Sequence, residues 1–193
     1  KDELDVKMNY AKAGDHVPEA EKNNKTIQER FRVLYHRLPF NKMTRLMIRS
    51  FAFICCAQLN YFPAKGGISE YYSPHMIMRC ENLDFNKNCS IEPGSFVQAS
   101  HDPKVKNTNE ARTRDAIYLR PARNEQGGHE CMDLHSGALI QPGTVKVLPM
   151  TQVVIDKVNA LAEAQGFTSL KFKDKNKIIL YDADWIEGVD YER

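Results

Sequence analysis

Residues 112–150, RTRDAIYLRPARNEQGGHECMDLHSGALIQPGTVKVLPM, consist of short runs in which apolar and polar side chains alternate. Gly, Asn, Asp and Ser separate the runs, which is typical of strands joined by turns. Together with SFVQAS just before them, the runs predict five strands, at residues 95–100, 115–121, 129–134, 138–142 and 144–149. Short strands at this spacing favour a small antiparallel β-barrel or curled sheet. We therefore predict a β-barrel-like domain over residues 90–150.

Helical patterns precede and follow this region. A helix is predicted from His16–Glu19 onward, with Pro18 near its first position and one apolar face formed by Ala20, Ile27, Phe31, Leu34 and Leu38. A second helix, from about residue 44 to 61, is apolar almost all round and reads as a core element. Short elements are predicted at 4–10 (strand) and 73–78 (helix), and residues 151–193 predict an amphipathic helix, a β-hairpin and an acidic tail. The predicted fold class is α+β.

Positive charge is concentrated in two blocks. The 193 residues carry a net charge of only +2, yet residues 22–49 hold eight Lys and Arg against the single acid Glu29. Residues 104–123 hold six Lys and Arg against two acids. Basic blocks of this kind indicate a polyanionic partner, although a solvated basic face is the commoner explanation for any one block. The sequence has no 18-residue apolar stretch, so a membrane is not an expected partner.

The five cysteines form no CxxC motif, and we expect them to be reduced and mostly buried. His129, Cys131 and His135 give the spacing H-x-C-x3-H. That segment has strand periodicity, and no second Cys/His pair follows at zinc-finger spacing, so buried structural side chains are favoured over a zinc site.

Three stretches resemble the integrase region of copia-type long-terminal-repeat retrotransposon polyproteins. They are HVPEAEKNNKTIQERFR (16–32), LNYFPAKGGISEYYSPHMI (59–77) and the strand-rich residues 112–150. The resemblance covers about residues 5–150, and residues 151–193 resemble the linker that precedes the reverse transcriptase. It implies that residues 1–85 are the carboxy-terminal part of a ribonuclease-H-like core, truncated to a strand and two long helices. The β domain then follows, as a counterpart of the small DNA-binding barrel of retroviral integrases.

The resemblance also implies a site. Such cores hold two divalent metals with two aspartates and a glutamate, and the glutamate lies in a motif of an acid, two variable residues, Asn and a basic residue. Here the match is Glu21, Asn24 and Lys25, with Glu19 as the competing acid. Glu21 would be the catalytic metal ligand, while Asn24 and Lys25 would contact DNA ends. Arg32 follows on the same helical face, although Gln28 stands where a second Lys is usual.

This sequence departs from the family pattern in one major respect. The acids before Glu21 (Asp2, Glu3, Asp5 and Asp15) do not occupy the positions of the two family aspartates. One carboxylate cannot hold a pair of Mg²⁺ or Mn²⁺ ions, so the chain by itself is expected to be inactive and to bind no metal. We expect it to be an internal piece of a longer polyprotein, with an apolar second helix that lacks the sheet it should cover.

The β domain is expected to contribute a basic edge, formed by Lys104, Lys106, Arg112, Arg114, Arg120 and Arg123. Expected partners are element-end and target DNA, the rest of the polyprotein and, as a homo-oligomer, other copies of the chain. The expected location is intracellular, in a cytoplasmic particle and the nucleus. The alternative function is a non-catalytic module of a mobile-element-derived protein that binds nucleic acid or protein.

Overall fold

The computed structural model describes residues 17–100, 111–122, 127–166, 171–173 and 179–182. These residues form helices and antiparallel strands, as the predicted α+β class requires. The helices are α1 (Pro18–Arg37), α2 (Arg45–Leu59), α3 (Pro74–Arg79), α4 (Phe85–Asn88) and α5 (Gln152–Ala164). The strands are β1 (Phe96–Ser100), β2 (Thr113–Pro121), β3 (His129–Asp133), β4 (Leu139–Ile140), β5 (Val145–Val147), β6 (Lys171–Lys173) and β7 (Ile179–Asp182).

The five central strands form an open antiparallel sheet in the order β4-β3-β2-β1-β5. The predicted closed barrel is therefore wrong, because β4 and β5 do not pair and remain the two edges. The sheet nevertheless curls. Pro142 O accepts a hydrogen bond from His129 N of β3 (3.2 Å), and Thr144 O accepts one from Ser100 N at the end of β1 (3.0 Å). His129 pairs with Pro121 at one end of β2, whereas Ser100 pairs with Thr113 at the other end. Eight residues of strand span about 26 Å, so residues 142–144 reach both positions only because the sheet curls.

Both faces of the sheet are buried. Side chains on a strand alternate between faces, so neighbouring residues of β2 enter different clusters. One face packs on the helices through Phe96, Ile117, Leu119, Met132 and Leu134. The other face, inside the curl, buries Val97, Ala99, Ala116, Tyr118 and Cys131 under Ile91, Ile140 and Val145. This explains why residues 116–119 are buried without interruption.

The long helices share one core with the sheet. The helix-side cluster includes Phe31 and Tyr35 of α1, Met47, Phe51 and Cys55 of α2, and Val154 and Val158 of α5. The expectation that α2 lacks a sheet to cover is therefore wrong. A single cluster also spans the predicted domain boundary near residues 85–90, and the boundary itself stays a prediction.

The start of α2 is fixed by polar contacts to α5 and β3. Buried Thr44 caps the helix by accepting from Met47 N, and its hydroxyl also donates to Met132 Sδ at 3.1 Å. The backbone N of Lys42 donates to Asn159 Oδ1, and that of Arg45 donates to Gln165 Oε1. These bonds fix the position of α2 relative to the sheet.

Gly94 lies just before β1 and close to Leu38, the residue that follows α1. Its φ is +89°, a conformation that side chains with a Cβ rarely adopt, and a Cβ placed there would collide with the side chain of Leu38. Its N–H donates to Tyr118 O at 2.8 Å, which begins the pairing of β1 with β2.

Most predicted elements are confirmed, including α1, α2, α3, α5 and the β6–β7 hairpin. Helix α4 was not predicted, and the predicted strand at 4–10 lies outside the described residues. Apart from Phe53 of α2 and several scattered positions, the exposed apolar side chains are grouped in a different place from the one expected. They follow α2, in the segment that contains Phe62, Ile68, Tyr71, Tyr72, Met78 and Phe85.

Candidate nucleic-acid interface

Glu21 lies in the first turns of α1 and is exposed. Helix α1 begins at Pro18, whose missing N–H suits the first helical position, and Val17 O accepts the backbone N–H of Glu21 at 3.0 Å. Residues 20–25 are exposed throughout, whereas Phe31 and Tyr35 further along are buried. The first part of α1 therefore presents its side chains to solvent, while the second part anchors the helix in the core.

The predicted residues of α1 share one face. Asn24 and Lys25 lie three and four residues after Glu21, so the three side chains are neighbours on the helix surface. Lys25 Nζ also lies 4.0 Å from Glu29 Oε1, and both side chains are largely exposed. Such a pair contributes little to stability and leaves Lys25 accessible to a ligand. Arg32, two turns further on, is half-buried.

Among the described residues, no three His, Cys, Asp or Glu side chains lie together in a way that could hold a metal ion. This includes Glu21 and the H-x-C-x3-H residues. Cys131 is fully buried, and burial, followed by the nearby Glu130, raises the pKa of its thiol to about 12. The thiol therefore stays protonated at neutral pH, whereas metals bind the thiolate.

All five cysteines are free thiols. Only Cys55 and Cys131 are buried, so the prediction that most would be buried is wrong. Burial and the adjacent Cys56 raise the pKa of Cys55 to about 11, against an opposing effect of Arg30. Cys55 lines a cavity of about 630 Å³ that also contains Arg30, Arg37, Glu29, Glu92 and Cys89. Sequence alone gives no signal for this cavity, because it forms where α1, α2 and residues 88–93 meet.

Ion pairs weaken the basic block at residues 22–49. Arg37 pairs with Glu92 and Lys42 pairs with Glu163, each at 2.5 Å. Both acids lie far outside the block in sequence. The local field at Arg37 and Lys42 is therefore weaker than the sequence sum indicates, whereas Lys25 lies 4.0 Å from Glu29 in a largely exposed pair.

The second basic block is only partly described. Lys104, Lys106 and Arg123 lie outside the described residues. Arg112 and Arg114 are both exposed around the start of β2. Arg114 lines a surface cavity of about 880 Å³ with His135 and Lys157, and with the acids Asp115 and Asp133. Arg120, expected on the same edge, instead turns inward and pairs with Glu130.

The MDLHSG stretch forms the turn between β3 and β4. Buried Asp133 accepts hydrogen bonds from the backbone N of Ser136 (3.1 Å) and from its hydroxyl (2.5 Å). Gly137 has a φ of +70°, which lets its N–H donate to Asp133 O at 2.8 Å. Burial by itself raises the pKa of Asp133, but the hydrogen bonds from Ser136 outweigh it, and the net pKa is lowered. The motif has a structural role in this turn.

We expect Asp133→Asn to lower the free energy of unfolding by about 1–2 kcal/mol at pH 7, because the carboxylate accepts charge-assisted hydrogen bonds. The pKa of Asp133 is below its ordinary value of 3.8, so its stabilisation is present above about pH 4 and is lost as the pH falls through the folded-state pKa. Urea unfolding across this range should show the difference between the two proteins shrinking in acid. The control is Glu81→Gln, at an exposed carboxylate, and an equal loss in both variants would contradict the prediction.

The chain matches no protein-family model, no curated protein and no solved structure. The likeness to copia-type integrases therefore rests on the three quoted stretches alone. Within the described part of the chain, no helix has the length and apolar character needed to cross a membrane.

Proposed function

We propose that the chain is part of a retrotransposon integrase and binds DNA through the exposed face of α1. The observation that supports this most directly is the arrangement of Glu21, Asn24 and Lys25, which are exposed neighbours on the solvent-facing part of a core-anchored helix. An anchored helix presents side chains in a fixed geometry, which suits contacts to phosphates along a backbone. The three stretches that resemble copia-type integrases include this helix.

In the complete enzyme, Glu21 is proposed to supply one ligand for Mg²⁺ or Mn²⁺. Two such ions activate the attacking oxygen and stabilise the leaving oxygen during phosphodiester cleavage and strand transfer. Among the described residues no three possible ligands lie together, and Glu21 by itself does not make a site for two ions. The chain alone is therefore proposed to bind DNA without catalysing integration, and the polyprotein and further copies of the chain are its proposed protein partners.

A non-catalytic interaction module is the second candidate. The exposed apolar segment between Phe62 and Phe85 favours it, because Ile68 is 97% and Tyr71 86% exposed. Apolar side chains grouped on a surface commonly mark a protein-binding site. If the module binds protein and not nucleic acid, the protein should show no DNA binding at low salt.

Lys25→Glu tests the DNA-binding proposal. We expect it to weaken binding to a short labelled duplex by about tenfold at low salt and to reduce the slope of log K against log salt by about 0.9, the value for one phosphate contact. Residue 25 is exposed, and like charges four residues away at Glu21 and Glu29 cost only about 0.2–0.5 kcal/mol each, so the fold should survive the change. Fluorescence anisotropy over a salt series is the measurement.

The matched control is Lys65→Glu, because Lys65 is an exposed lysine in the loop after α2. The proposal expects this variant to bind almost as well as the unchanged protein. Equal weakening of duplex binding by both variants would show that the effect comes from the change in net charge and not from a contact of Lys25. Absence of duplex binding at low salt would overturn the proposal.

A further inference from the structure

The exposed face of α2 forms a second surface with a distinct composition. Helix α2 contains two arginines and no acid, and Arg45, Arg49 and Phe53 follow one another at intervals of four residues. All three are exposed and lie on one helical face, with Phe53 47% exposed. With Arg120, which packs on Phe53, we call these residues the α2 strip.

Phe53 and Arg120 form a fixed pair at one end of the strip. The Arg120 Cζ lies 4.3 Å from the centroid of the Phe53 ring. The guanidinium is also held by Glu130, with Nε 2.7 Å from Oε2 and Nη2 3.0 Å from Oε1. The Nη2 hydrogen bond and the ion pair with Glu130 together hold the guanidinium over the ring, although Nε makes no hydrogen bond of its own. The pair is thus organised before any ligand arrives.

Glu130 does not cancel the positive charge that the strip presents to solvent. Its side chain is only 8% exposed, so little of the carboxylate faces solvent, and it pairs with Arg120. Arg49 has no acidic neighbour on α2, because the whole helix lacks one. In the basic block, by contrast, Lys42 and Arg37 are each paired with a glutamate. Arg45 and Arg49 are both exposed, so a polyanion can reach the positive charge of the strip.

The chemistry of the strip distinguishes among polyanions. Arginines one helical turn apart suit phosphates, and they would serve a duplex or a single strand equally well. An exposed phenyl ring with a fixed guanidinium offers a stacking surface, and only unpaired bases have a free face to place on it. Base stacking on aromatic and arginine side chains is a general feature of proteins that bind single strands.

We propose that the α2 strip binds an unpaired nucleic-acid strand, with Arg45 and Arg49 on the phosphates and one base stacked on Phe53 and Arg120. This rests on the proposed DNA-binding function and deepens it, because it names a single strand as the ligand of a helix other than the one that carries Glu21.

The test uses fluorescence anisotropy with a labelled oligothymidine strand and a mixed-sequence duplex of equal length. Phe53→Leu keeps an apolar side chain but removes the ring, and it should weaken single-strand binding by at least about fivefold without changing the salt slope, because a stack is lost and no phosphate contact is. The Arg45→Gln/Arg49→Gln double variant should reduce the single-strand salt slope by about 1.4, at about 0.7 for each phosphate contact. Arg79→Gln, at an exposed arginine on α3, is the control.

The outcomes separate this inference from the broader proposal. Selective loss of single-strand binding in Phe53→Leu, with duplex binding unchanged, supports the proposal that the α2 strip binds a single strand. If Phe53→Leu fails to fold, Phe53→Met, which also removes the ring but keeps a larger apolar side chain, decides by the same comparison between strand and duplex. Equal losses of strand and duplex binding in the Phe53 variant, or losses no larger than in Arg79→Gln, would overturn the proposal that the α2 strip binds a single strand. In that case weaker duplex binding by Lys25→Glu would leave the proposed function standing.

Discussion

Phe51→Ala should remove about 3–5 kcal/mol from the free energy of unfolding, the largest loss expected of the substitutions considered. Phe51 is fully buried in α2 and belongs to the cluster that joins α1, α2 and α5 to the sheet. Truncating a buried phenylalanine removes its burial and leaves a cavity that close-packed neighbours cannot fill completely. Because the helices and the sheet share this cluster, both should lose protection together in chemical denaturation followed by hydrogen exchange.

Phe62→Ala is the matched control, since it makes the same change at a side chain that is 59% exposed. We expect it to cost about 1 kcal/mol or less, largely from the lost ring contact with Phe85. Separate unfolding of α1–α2 and of the strands in the Phe51 variant would contradict a shared core and would favour two independent lobes.

Arg120→Ala should lower the free energy of unfolding by about 2–4 kcal/mol, because it leaves the Glu130 carboxylate nearly buried without its cation. The variant also loses the stacking of the guanidinium on Phe53. Replacing both partners, in Arg120→Met/Glu130→Leu, should recover most of the loss, since apolar side chains of similar size avoid the buried charge. Urea unfolding of Arg120→Met, Glu130→Leu and the double variant completes a double-mutant cycle and gives the coupling energy.

The control for this pair is Arg37→Ala. Arg37 and Glu92 form an ion pair with 63% and 54% of their side chains exposed, and exposed pairs contribute about 1 kcal/mol or less. A loss in Arg120→Ala no larger than in Arg37→Ala would show that the half-buried position of Arg120 confers no special role in stability.

Local periodicity predicted the elements better than their assembly. The stop at Leu38–Pro39 and the apolar run of α2 identify two helices, because a helix of this length carries its own pattern. The assembly of the sheet was harder to predict from the sequence. Its strands were predicted correctly, but the sheet was expected to form a barrel and is instead open. Closure would require the edge strands β4 and β5 to pair. Nothing within either short strand specifies that pairing.

The candidate site likewise combines features that follow from the local sequence with features that depend on residues distant in the sequence. The exposed face with Glu21, Asn24 and Lys25 follows from spacing along one helix. The inward position of Arg120 does not, because it depends on Glu130 across the β2–β3 pair and on Phe53 from α2. Likewise, Glu92 and Glu163 neutralise parts of a block from which they are distant in sequence. Contacts of this kind become visible only in the folded chain.

Hydrogen–deuterium exchange of the protein with and without a short DNA duplex, at low salt, tests the DNA-binding role of α1 most directly. We expect slower exchange in peptides from residues 18–37 when the duplex is present, no such protection at high salt, and weaker protection in Lys25→Glu at a duplex concentration near the Kd of the unchanged protein. Saturating duplex that leaves α1 unchanged while protecting other segments would contradict the account.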